Sequence, residues 1–225
     1  MSVVGVDACK TGWIAVELRD GEPPVAHFLP HIDAVHRAIS RAEIIAIDIP
    51  IGLPSSGRRE ADLAARAVLG KRCNSVFFTP PRDALLAPSH AEATAIASEL
   101  TGNGISQQSY ALRTKILEVE AWLPEALCQV VEVHPEVSFA EMLGHPARAS
   151  KKTWAGMVER VVALGAHGIH LHEVPGDAAV RALSDDMVDA GAAAWTASRV
   201  RSGTARTFPS PPPLDKSGRA IAIWA

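Results

Sequence analysis

The segment Glu43-Ile-Ile-Ala-Ile-Asp-Ile constrains this chain more than any other. It is a strand-length apolar run without polar alternation, and a strand that lacks a polar face must be covered on both sides, as in parallel sheets flanked by helices. Just upstream, residues 31–41 place Ile32, Val35 and Ile39 at near-helical spacing. A helix between two strands returns the second parallel to an earlier one, and a right-handed crossover lays it beside the first. Three short strands precede it, at residues 3–8, 13–18 and 25–29, joined by the turn segments Cys9-Lys-Thr-Gly and Arg19-Asp-Gly-Glu-Pro-Pro. They predict an antiparallel meander whose first member becomes the neighbour of the fourth strand.

Further along, helices are expected at 60–69, 91–100, 107–122, 152–165 and 184–199, with Ser184 as the cap of the last. A fifth strand is expected at 128–133, and an apolar strand at 221–224 closes the chain. The pattern is α/β: a mixed five-stranded sheet flanked by helices. A length of 225 residues suits a single domain, 1–225, with an inserted loop-rich segment at about 52–90 between strands four and five. No period of 20–50 residues recurs, which excludes solenoids and propellers.

The carboxylates fall in a telling order. Asp7 closes the first strand and Asp48 the fourth, so the two should sit side by side at adjacent strand ends. Asp186 and Asp189 are three apart in the last helix and share one face. That helix carries Ala190, Gly191, Ala193 and Ala194, small enough to approach a sheet closely and bring its carboxylates towards Asp7. Converging carboxylates repel, and hard divalent cations are their natural compensation. Mg2+ or Mn2+ held by Asp7, Asp48, Asp186 and Asp189 would stabilise the attacking and leaving oxygens of a phosphoryl displacement. Singly, each Asp is as well explained as a turn residue or a helix cap. It is the coincidence of strand-end, strand-end and helix-start carboxylates that favours a site.

Val4-Gly-Val-Asp-Ala-Cys-Lys-Thr-Gly-Trp, Asp48-Ile-Pro-Ile-Gly-Leu-Pro, Ser75-Val-Phe-Phe-Thr-Pro-Pro-Arg, Glu132-Val-His-Pro-Glu and Asp186-Met-Val-Asp-Ala together resemble the family called domain of unknown function 429. The resemblance covers nearly the whole chain. That family is described as predicted nucleases of ribonuclease-H-like fold, so the resemblance implies that fold and a nuclease activity. The Asp-x-x-Asp-Ala helix start is also similar to RuvC-type resolvases, which implies Asp7, Asp186 and Asp189 as metal ligands. That branch has Glu at the end of the fourth strand where this chain has Asp48, and Glu132 on the neighbouring strand could supply or share the role.

Weaker signals surround these. His134, between Glu132 and Glu136, suits a proton shuttle or a partner of the carboxylates, against an equally ordinary structural role. Residues 58–82 hold six basic side chains against two acidic ones and form the best candidate phosphate-binding segment, with Arg72, Ser75 and Arg82 as contacts. A solvated helix face explains Arg66 better, and Lys151-Lys152 reads as an ordinary charge pair at a helix start.

The leading expectation is a divalent-metal phosphodiesterase acting on nucleic acid or a nucleotide, with Asp7, Asp48, Glu132, His134, Asp186 and Asp189 as its catalytic set. A non-catalytic scaffold or binding module of the same fold is the main alternative. A third reading starts from Asp7-Ala-Cys-Lys-Thr-Gly, which resembles the phosphate-gripping hairpin of sugar kinases and actin-like ATPases and makes Lys10 a phosphate contact. Those enzymes clasp nucleotide between two domains, and this length supplies one. A net charge of -3 excludes an indiscriminately basic surface. Three scattered cysteines, no secretory leader pattern and no apolar stretch near 18 residues predict a cytoplasmic protein without a membrane partner, and a homodimer remains compatible. No Gly-x-Gly-x-x-Gly, Walker loop, Gly-x-Ser-x-Gly or His-Glu-x-x-His occurs.

Overall fold

The apolar run does form a strand covered on both faces. In the computed structural model, which describes residues 1–171 and 177–225, the meander is β1 (Ser2–Cys9), β2 (Gly12–Arg19) and β3 (Val25–Leu29). It is followed by the short helix α1 (Val35–Ala38) and β4 (Ala42–Ile47). Then come α2 (Glu60–Leu69), α3 (Arg82–Leu85), α4 (His90–Thr101), α5 (Gln107–Ala111) and α6 (Arg113–Trp122). The chain continues through β5 (Gln129–Val133), α7 (Pro135–Leu143), α8 (Trp154–Ala166), α9 (Asp177–Arg181), α10 (Ser184–Arg201), β6 (Thr207–Phe208) and β7 (Ile223–Trp224). No helix among the described residues is long and apolar enough to cross a membrane.

The strands form one mixed sheet in the order β3-β2-β1-β4-β5-β7-β6. β1 pairs antiparallel with β2 and parallel with β4, and β4 pairs parallel with β5. The sheet therefore has seven strands, not five: β6 and β7 add two rungs beyond β5. β7 lies within the strand expected at 221–224, whereas the two residues of β6 are too few for a period-2 pattern to reveal.

Alternation along β4 explains its two-sided burial. Ile45 and Ile47 pack with Ile116, Val119 and Trp122 of α6. Ile44 and Ala46 pack with Ala193 and Ala197 of α10 on the opposite face. β1 follows suit, with Val4 and Val6 in the α6-side core and Val3 in the α10-side core. Gly5 lies on the α10 face, and a Cβ there would stand 1.9 Å from the Ala194 nitrogen and 2.2 Å from the Ala190 oxygen. No side chain larger than hydrogen fits, so Gly5 and the alanine stripe together set how closely α10 lies on β1.

Two further expectations are adjusted. The helix at 107–122 is interrupted at Leu112, although the Leu112 N–H still donates to the Gln108 oxygen at 3.2 Å and the Ile116 N–H to the Leu112 oxygen at 3.0 Å, which keeps α5 and α6 in phase. The cap of α10 is Leu183, not Ser184, and the Leu183 N–H donates to Asp186 Oδ2 at 3.0 Å. The 52–90 segment contains α2 and α3, and α2 packs against α7 and the β6–β7 edge.

Candidate active site

A cleft of about 300 Å³ opens at the carboxyl ends of the parallel strands β1, β4 and β5, the place where open α/β sheets bind ligands. Asp7 reaches it by alternation: residues 3, 5 and 7 face α10. Asp48 lies just past β4, and its N–H donates to the Val6 oxygen at 2.9 Å, which extends the ladder by one rung and sets Asp48 beside Asp7. Asp189 comes from the sheet-facing stripe of α10, one turn before Ala193. The three carboxylates thus converge from β1, β4 and α10, and all three line the cleft. Arg72, Asn74, Ser75, His134 and Lys152 line it as well.

Burial dominates the electrostatics. Asp7 is 8% exposed and its pKa is raised well above the ordinary carboxylate value, first by burial and then by the charges of Asp48 and Asp189. Burial pushes Asp48 up to about 7, with Glu132 and Glu136 adding to the shift and Lys151 opposing it. Burial likewise pushes Asp189 up to about 6, against the relief given by Lys151. The Lys151 ammonium donates to Asp189 Oδ2 and stands 3.7 Å from Asp185 Oδ2. Burial works against its charge, but Asp189, Asp7 and Asp48 outweigh that and raise its pKa. Asp189 Oδ1 is buried without a hydrogen-bond partner.

His134 follows β5. Its Nε2 lies 3.2 Å from the Ser75 carbonyl oxygen, an acceptor, so Nε2 carries the hydrogen and Nδ1 is the free lone pair. Nδ1 is buried and unpartnered. Burial lowers the pKa of the ring, which keeps it neutral near pH 7. Arg72 is half-buried, its Nε unpartnered in hydrogen bonding and 3.7 Å from Glu136 Oε2. Ser75 Oγ donates to the Arg72 oxygen at 2.9 Å and stays at the cleft rim.

Other candidates are engaged elsewhere. Glu132 pairs in register with Ile47, on the face away from α10, and lines the cleft from that side. Both of its oxygens are taken: Arg59 Nη2 donates to Oε1 at 2.7 Å, Arg59 Nη1 to Oε2 at 2.8 Å, and the Ile51 N–H to Oε2 at 2.7 Å. Neither Glu132 oxygen is left open towards Asp48 in this arrangement. Asp186 serves the start of α10 through Leu183 and does not line the cleft. Lys10 is exposed in the β1–β2 turn, and Arg82 Nε pairs with Glu120 at 2.9 Å; neither lines the cleft.

The structure also brings in residues that sequence reasoning missed. Arg59 joins Glu132 to Asp62, whose Oδ2 accepts the Thr79 N–H at 2.7 Å, and so ties the 52–90 segment to the sheet. Arg160, fully buried, grips Glu136 through three hydrogen bonds of 2.6 to 3.0 Å. Lys151, read from sequence as an ordinary surface charge, is the cation at the centre of the cluster.

Oxygen donors that repel one another, with one buried oxygen left unpartnered, are the chemistry a hard divalent cation satisfies. As the side chains stand, Lys151 is the cation they share, and no three His, Cys, Asp or Glu side chains among the described residues are arranged to hold a metal ion. No curated protein and no solved structure matches the chain significantly. A family model matches residues 5–214, and the chain accordingly belongs to the family described as protein of unknown function, DUF429.

Proposed function

We propose that this cleft hydrolyses a phosphodiester of a nucleic acid or nucleotide with the help of Mg2+ or Mn2+. The observation that carries the reading is the convergence of Asp7, Asp48 and Asp189, from three separate elements, in a cleft that also presents Arg72 and His134. The order β3-β2-β1-β4-β5, with Asp7 on the central strand and Asp189 on the long helix across it, supports a ribonuclease-H-like frame. Asp7, Asp48 and Asp189 would hold the ion. When bound, it would polarise the phosphate and lower the pKa of the attacking water. Arg72, whose Nε lacks a hydrogen bond, receives a non-bridging phosphate oxygen. Neutral His134 takes the proton of the attacking water at Nδ1, while its Nε2–H stays on the Ser75 carbonyl and fixes the ring. Lys152 at the rim adds positive charge along the substrate path.

The test is cleavage of bis(4-nitrophenyl) phosphate and of an end-labelled single-stranded oligonucleotide with and without Mn2+. Turnover that needs the metal and falls more than about a hundredfold in Asp7→Asn supports the reading. Absence of metal-dependent cleavage, or an Asp7→Asn variant as fast as the parent, defeats it.

One observation favours the scaffold reading: the Lys151–Asp189 pair already offsets part of the negative charge. A scaffold would bind oligonucleotide without cleaving it, and Asp7→Asn would leave that binding intact.

A further inference from the structure

Phe77 is an aromatic side chain for which the fold supplies no partner. It is half-buried and lines the cleft. It belongs to none of the apolar cores, and among the described residues no ring or cation stacks on it. Its neighbours are all engaged. Val76 enters the core built on α2 and α7, and the Arg58 and Arg66 guanidinium groups lie 3.9 and 4.6 Å from the centre of the Phe78 ring. Arg66 Nη1 donates to the Val76 oxygen at 2.5 Å, and the Thr79 N–H donates to Asp62 Oδ2 at 2.7 Å. The backbone is thus pinned on both sides of Phe77, and through Asp62 and Arg59 the pin runs to Glu132 on β5. A ring that adds to no core is held in place at a cleft, and a contact surface fixed in advance binds its ligand at a lower entropic cost.

The lining of the cleft is chemically divided. Asp7, Asp189 and Lys151 give it a charged side. Ile49, a member of the α6-side core, and Leu112, packed against that core, bring apolar surface from the α6 side, and Phe77 adds its ring. The charges among them, on Arg59, Asp62 and Glu132, satisfy one another and draw nothing from a ligand. A ligand that uses both parts carries a phosphate for Arg72 and, joined to it, a flat apolar ring. We propose that Phe77 is the stacking platform for an unpaired nucleobase, so that the substrate is a single-stranded nucleic acid or nucleotide and not a duplex or a simple phosphate ester. This rests on the phosphodiester reading above and names its substrate. Every base has a π face, so such stacking tolerates any sequence and strengthens binding about tenfold per base. Within a duplex the neighbouring bases cover both faces, and a base must leave the stack before a side chain can lie on it.

The experiment measures binding of an end-labelled oligothymidylate to the full chain by fluorescence anisotropy in EDTA, where metal-dependent cleavage is off. An abasic oligomer of equal length carries the same backbone charge without the bases, and the thymidylate strand paired to its complement supplies the duplex. The wild type binds the thymidylate strand about tenfold more tightly than the abasic one. Phe77→Leu, which keeps apolar bulk, abolishes that preference, Phe77→Tyr retains it, and all three proteins bind the duplex alike. Competition by thymidine 5′-monophosphate tells the two sources of the base apart: displacement at the strand's own concentration range identifies a mononucleotide, its failure identifies a strand, and both sustain the stacking. Equal affinity for the thymidylate and abasic strands, or a preference that survives Phe77→Leu or is lost in Phe77→Tyr, overturns the inference and leaves hydrolysis of a base-free phosphodiester standing. Absence of binding to either strand overturns it as well. A base preference in a protein without metal-dependent turnover sustains the stacking and defeats only the hydrolytic reading. Should Phe77→Leu fail to fold, the wild-type comparison still decides: equal affinities refute the inference, a tenfold preference sustains it.

Discussion

Two clusters of buried charge lie within one cleft, and they are built to opposite standards. Around Arg59, every oxygen of Glu132 and Asp62 has a donor: the guanidinium, the Ile51 and Thr79 N–H groups and the Thr79 hydroxyl. Around Lys151, the ammonium bonds Asp189 alone among the three cleft carboxylates, Asp189 Oδ1 is buried without a partner, and two of the acids are pushed to about 6 and about 7. Arginine's planar fork saturates two carboxylates at once here, whereas the Lys151 ammonium, though it has three donors, hydrogen-bonds only Asp189. The saturated cluster welds the 52–90 segment to the sheet. The unsaturated one is where the proposed divalent ion would bind.

Breaking the saturated cluster should have the largest effect. Arg59→Met strands Glu132 and Asp62 in the interior and should cost about 3–5 kcal/mol in urea unfolding. A loss under 1 kcal/mol would mean that water reaches these carboxylates.

The unsaturated cluster should respond in the other direction, through pH. Asp48 and Asp189 have folded-state pKa values above their ordinary range, so the native protein keeps protons that the unfolded chain releases. This contribution is fully present below the ordinary carboxylate pKa and is lost as pH rises through 6 and 7. The metal-free melting temperature should therefore fall between about pH 6.5 and pH 8, above the range in which the lowered pKa of His134 acts in the opposite sense. Asp48→Asn should flatten the profile, whereas the facing groups Asp7, Glu132, Glu136 and Lys151 are unchanged. Saturating Mn2+ should raise the melting temperature more at pH 8 than at pH 6, and a metal-free profile that rises with pH over this range would contradict the raised pKa values of these buried acids.

Smaller effects sharpen the boundary between the two regions. Arg72→Ala removes one charged hydrogen bond to substrate and should raise KM about tenfold while the fold persists; an unchanged KM would take Arg72 out of the phosphate site. Arg82→Ala breaks an exposed pair with Glu120 and should change stability by less than about 1 kcal/mol and KM not at all. A KM effect there would show that substrate extends well beyond the cleft.

Much of this was legible in the residues. Alternation in β1, the unbroken run of β4 and the alanine stripe of α10 placed Asp7, Asp48 and Asp189 together, because strand and helix periods convert sequence position into direction. Glu132 could have been assigned by the same rule: Val131 and Val133 face α10, so Glu132 cannot. Asp186 also carried its own signal, an acidic side chain three residues into a helix, where it reaches back to a free N–H. Lys151 carried none. It lies in a loop without periodicity, and its partner is 38 residues away. The pairing of Arg59 with Glu132 spans 73 residues, and only tertiary contact reveals it.

Gly5 bears no charge, lines no cleft and touches no candidate substrate, yet it fixes how deep α10 can settle. Alanine there would drive a methyl into the Ala190–Ala194 backbone and lift the helix, carrying Asp189 away from Asp7 and off the Lys151 ammonium. The absence of a side chain on a single α-carbon, where the α10 backbone sits instead, thereby acts as a gauge block for the site, and a mutational scan would record position 5 among the most intolerant in the chain without any chemistry of its own.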